Sequence, residues 1–128
     1  MLKKAMLKKA VLKKAILIAG FVMMAALPSV AAEKRCGWVD NPTPSNWWLT
    51  DADGRWTISV QGGYQAQGMD NIPEFQPSQY VKTNGYYGYT CACMEVTTNN
   101  RLSRIRRIYS VQPLPLRQCH QDPKLPER

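Results

Sequence analysis

A chain of 128 residues holds one small domain, and a content of 45% hydrophobic with 20% charged residues excludes a disordered polymer. The formal charge of +8 points at first to nucleic acid, but six of the 17 basic residues and none of the nine acidic ones stand in residues 1–32. The remainder carries eleven against nine, which removes the electrostatic case for a nucleic-acid partner.

Residues 1–15 repeat Met-Leu-Lys-Lys-Ala twice and then Val-Leu-Lys-Lys-Ala. An apolar run from Ile16 to Ala26 and a stretch ending in Val30-Ala31-Ala32 follow. Basic region, apolar core and small residues at the cut predict a secretory signal peptide over 1–32, cleaved after Ala32, and a periplasmic or secreted domain over 33–128. The apolar run falls short of the roughly 20 residues of a spanning helix, so no stable membrane insertion is expected after cleavage. Glu33-Lys34-Arg35 before Cys36 also departs from the small and aliphatic residues of a lipid-attachment site.

The exported part is expected to be mainly β, a small antiparallel sheet of hairpins stapled by two disulfides. Its opening, Cys36 to Asn46, contains Pro42 and Pro44 and reads as a shaped loop with Trp38 anchored in the core. Trp47-Trp48-Leu49-Thr50 and Arg55 to Val60 flank Asp51-Ala52-Asp53-Gly54, a hairpin whose second strand points Trp56, Ile58 and Val60 inward. By the same alternation only one of Trp47 and Trp48 can face the core. Residues 61–80, rich in glycine, proline, Asp and Asn, form ordered loops or short edge strands.

Asn84-Gly85 marks a turn into the central strand, Tyr86 to Val96, on which Cys91 and Cys93 emerge from one face. An even cysteine count in a small exported domain predicts bridges, and joining Cys91 to Cys93 across one residue would strain them. Cys36 is therefore expected to pair with one of the two and Cys119 with the other, the choice being open. In the last strand, Arg104 to Val111, Ile105 and Ile108 are three apart, which predicts a bulge. Residues 112–118 then run extended to Cys119, and residues 122–128 form a loose tail.

Cys36-Gly37-Trp38, Asn41-Pro42-Thr43-Pro44, the Trp56 strand, Gln61-Gly62-Gly63, Tyr87-Gly88-Tyr89, Cys91-Ala92-Cys93, Ile108-Tyr109-Ser110 and Leu114-Pro115-Leu116 resemble a family of small exported bacterial proteins catalogued only as a domain of unknown function. The resemblance implies export and a shared fold and brings no activity, cofactor or catalytic residue.

Chemistry finds few footholds. Cys-X-Cys does not have the spacing of zinc ligands, and Asp51-Ala52-Asp53-Gly54 lacks the remaining ligands of a calcium loop, so no metal or cofactor is expected. His120 is the single histidine and has no marked nucleophile beside it. The expectation is a non-catalytic, monomeric binding protein, foremost a periplasmic inhibitor or protein-partner binder. A carbohydrate or envelope-polymer module is the alternative, and a small hydrolase a distant third. Its partner would be an envelope protein or a glycan. The candidate binding residues are Trp47 and Trp48 on the hairpin, Tyr64, Gln65 and Asn71 in the following loop, and Arg104 and Arg106 in a basic patch that could equally protect a sheet edge.

Overall fold

The computed structural model describes residues 31–128. Apart from Ala31 and Ala32, the expected signal peptide lies outside the described residues. Six strands follow, β1 (Glu33–Thr43), β2 (Asn46–Asp51), β3 (Gly54–Ser59), β4 (Tyr80–Asn84), β5 (Tyr87–Asn99) and β6 (Arg104–Leu114), and a short helix α1 (Leu116–His120) comes after them, ahead of the tail. They lie in the order β1-β2-β3-β6-β5-β4, and β1 also pairs with β5. That extra pairing closes β1, β2, β3, β6 and β5 into a ring, a small five-stranded barrel of the kind the OB fold exemplifies. All pairings are antiparallel except β3 with β6, joined in parallel at Thr57 and Arg104. The sheet is thus mixed, not wholly antiparallel.

β5 is the central strand, as its pattern implied. One edge pairs with β1 from Gly88 to Val96, and the other is shared by β4 near its start and β6 from Cys91 onward. The inward row contains Val39, Leu49, Trp56, Ile58, Ala92, Met94, Val96, Ile105 and Ile108, all buried. Of two register shifts between β5 and β6, the one between Thr97 and Thr98 falls between Ile108 and Ile105 and brings them to the same side, the expected bulge. Val60, expected in that row, lies beyond the end of β3 and is 47% exposed.

One end of the barrel is closed by charge. The Arg35 guanidinium donates to Asp51 at 2.8 Å, Asp53 at 3.0 Å and Glu33 at 2.8 Å, and lies 4.0 Å from the Trp56 ring centroid. Trp56 Nε1 donates to the other Asp51 oxygen at 3.0 Å. Burial pulls the Arg35 pKa down, but the hydrogen bonds to Asp51 and Asp53 and the nearby carboxylate charges outweigh it and hold the group above its ordinary value.

Cys36 bonds Cys93 and Cys91 bonds Cys119, which settles the open pairing. These bridges belong to an oxidising environment, as export provides. Three local expectations are corrected. Residues 36–43 are strand, because Cys36, Trp38 and Asp40 alternate with Gly37 and Val39, and Pro42 falls where pairing with β5 has ended at Asn41. Residues 112–118 are not one extended run, since β6 ends at Leu114 and α1 carries Cys119 on a helical turn. The tail is not loose. Leu125 is buried with Trp38, Cys91 and Cys119 on the outer face of the barrel, and the Trp38 indole donates to the Pro126 carbonyl at 3.0 Å. A buried apolar slot, an indole N–H and the Asp40 carboxylate all require partners there, and the tail supplies them.

Candidate functional site

The segment between β3 and β4 crosses the barrel as two single 3-10 turns, Met69–Asn71 and Pro77–Gln79. Met69 and Ile72 pack against the core, and the Asn71 amide donates to the Ile108 carbonyl at 2.9 Å. At the other end the Thr90 hydroxyl donates to the Gln79 carbonyl at 2.6 Å. Pinned at both ends, the segment presents Pro73, Glu74 and Phe75 opposite Trp47, Tyr80, Lys82 and Tyr86 around a cavity of 390 Å³.

Its walls are aromatic. Phe75 stacks on Tyr80, with centroids 6.0 Å apart and planes within 7°. The Tyr80 hydroxyl donates to the Tyr86 carbonyl at 3.1 Å. Tyr86 follows Gly85, whose positive φ of 58° turns the chain between β4 and β5, and is 86% exposed at the rim. Lys82 Nζ lies 5.2 Å from its ring centroid. Burial, and secondarily the charge of Asp40, push the Tyr80 phenol above its ordinary pKa, so it remains a hydrogen-bond donor at neutral pH. β4, which contributes Tyr80 and Lys82, stands last in the sheet order and pairs with β5 alone among the described strands.

Of the residues singled out from sequence, Trp47 reaches this groove and also packs against the core. Trp48 occupies the opposite face, with the Arg55 guanidinium 3.5 Å from its ring centroid. Both residues are half-buried, and a register shift in the β2–β3 pairing falls between them. Tyr64 and Arg104 come together away from the groove, the guanidinium 4.4 Å from the ring centroid, while the Tyr64 hydroxyl donates to the Ile105 carbonyl at 2.6 Å. Gln65 is exposed and bridges to Ser59, Asn71 ties its loop to β6, and Arg106 is exposed, its carbonyl accepting from Gln67 N–H at 3.0 Å. The structure therefore divides the expected site in two. Phe75, Tyr80, Lys82 and Tyr86 were missed. The available signal was a run of aromatic residues bracketing the Asn84-Gly85 turn.

Among the described residues no three of His, Cys, Asp and Glu stand together as metal ligands. His120 meets Trp38 edge-on at 5.0 Å between centroids. The model of a family described as protein of unknown function (DUF4087) matches residues 30–126. No curated protein and no solved structure matches the chain.

Proposed function

We propose a function for this chain, which belongs to the DUF4087 family of proteins of unknown function: an exported, non-catalytic protein that captures an extended segment of an envelope protein. The observation that carries the reading is the coincidence of an open sheet edge with the aromatic groove. An edge strand offers unpaired N–H and C=O groups to an incoming strand, and a pocket beside it reads alternate side chains of that strand. β4 provides such an edge, and Trp47, Phe75, Tyr80 and Tyr86 provide an apolar pocket with Lys82 and Glu74 at hand. Aromatic anchors in a concave site contribute more to binding than the surrounding polar rim. The two bridges and the amino-terminal pattern favour the periplasm or the exterior of the cell as its place of work.

Pull-down from periplasmic extract tests the proposal. The unaltered protein should retain one discrete protein, and Phe75→Ala with Tyr86→Ala should lose it while melting at nearly the same temperature. Retention of the same protein by the double variant would refute the groove as the site. Sedimentation with isolated cell wall instead would transfer the function to polymer binding.

A further inference from the structure

On the outer face of the barrel, Arg128 occupies a cage made by β1 and β5. Its two terminal nitrogens donate in parallel to the two oxygens of Asp40, Nη1 to Oδ1 at 2.7 Å and Nη2 to Oδ2 at 2.6 Å. Its Cζ lies 4.6 Å from the Tyr89 ring centroid and 5.6 Å from that of Trp38. The Asp40 side chain is only 8% exposed, whereas that of Arg128 is 25% exposed. The recognising groups are thus the built part, fixed in two paired strands, and the cation is the outlying part.

Strand register explains the build. Asp40 pairs with Tyr89 across β1 and β5, and Trp38 stands two residues earlier on the same face of β1. A carboxylate aligned with a planar fork, beside the faces of a tyrosine and a tryptophan, matches guanidinium better than ammonium. The fork bonds through two nitrogens at once, and its flat, weakly hydrated cation stacks on rings. Attachment of the tail does not depend on the cage alone, since the Cys91–Cys119 bridge, Leu125 and the Pro126 carbonyl hold it upstream.

We propose that Asp40, Trp38 and Tyr89 form a guanidinium-binding site that Arg128 fills in cis and that an arginine side chain of a partner fills in trans by displacing it. None of these three residues lines the β4 groove, although the Asp40 charge reaches Tyr80 in its wall, and different experiments read the two sites, so either may fail without the other. Occupation by Arg128 sets a competition. A partner must present its arginine at high local concentration, as a docked protein does and free arginine does not.

The test is an NMR titration with methylguanidinium, reading the Trp38 indole N–H and the Tyr89 amide, with methylammonium as control. Arg128→Ala should bind methylguanidinium saturably, methylammonium at least about tenfold more weakly, and the unaltered protein should show no saturable shift at the same concentrations. Adding Asp40→Asn to Arg128→Ala should weaken binding by about tenfold or more, since a charge-assisted fork is lost. Arg128→Lys, which keeps the charge but not the fork, should be displaced by methylguanidinium more readily than the unaltered protein is. Equal shifts with both cations, no shift in folded Arg128→Ala, or unfolding of both Arg128 variants would overturn the proposal and leave Arg128 as a structural clamp.

Discussion

Removing each disulfide in turn separates two accounts of what the bridges do. Cys36→Ala with Cys93→Ala opens a loop of sequence separation 57, and Cys91→Ala with Cys119→Ala one of 28. Loop entropy alone assigns about 4.2 kcal/mol to the first and about 3.6 to the second, making the first the costlier loss. Burial reverses the order. Cys36 is exposed, whereas Cys91 is fully buried and Cys119 is 4% exposed, in contact with the Trp38 and Leu125 cluster. Deleting two packed sulfurs adds a cavity cost of about 1 to 2 kcal/mol, and it also releases the tail that covers Trp38. Losing Cys91–Cys119 should therefore cost about 5 kcal/mol against about 4 for losing Cys36–Cys93. For a domain of this size each kcal/mol moves Tm by about 4 to 8 °C. Melting followed by far-ultraviolet circular dichroism should place the variant lacking Cys91–Cys119 about 5 °C or more below the variant lacking Cys36–Cys93. The opposite order, or coincident melts, would refute the packing role given to Cys91–Cys119.

Three further outcomes follow from the same contacts. Asp51→Ala, which leaves the Trp56 indole N–H unpaired and takes from Arg35 the most buried of its three carboxylates, should destabilise by about 1 to 3 kcal/mol, and denaturant unfolding measures it. Trp47→Ala, which removes a ring packed on the core, should cost about 2 to 3 kcal/mol and Trp48→Ala about 1, and equal losses in the same assay would contradict their placement on opposite faces. Spectrophotometric titration should show a late phenolate component that Tyr80→Phe removes. Because the folded-state value is raised, the associated stability is complete below the ordinary tyrosine range of about 10 and declines as pH rises through the higher folded value.

Alternation and spacing made much of the barrel readable in advance. Trp56 and Ile58 face inward at period two, Cys91 and Cys93 share a face, and the spacing of Ile105 and Ile108 required the bulge that lies between them. β1 is masked in the sequence by Pro42 at its end and Pro44 just beyond, which hide the alternation of Cys36, Trp38 and Asp40. The tail was missed for a different reason. Pro126 and Arg128 find Trp38 and Asp40 88 residues away, and no local pattern in residues 122–128 encodes a partner so distant. The groove was half legible for the same cause. Trp47 announces itself as one of an adjacent pair, but Phe75 meets Tyr80 only once the 3-10 turns have been pinned by Asn71 and Thr90.

The central claim, that β4 and its aromatic groove receive an extended segment of another protein, is tested most directly by a photo-crosslinking residue placed at Tyr86 in cells that produce the protein. Tyr109, 49% exposed on β6, supplies the control position. The account predicts one discrete protein adduct from position 86, absent from position 109 and lost when Phe75→Ala is added. The same adduct from both positions, or adducts from position 86 only to envelope polymer, would contradict it.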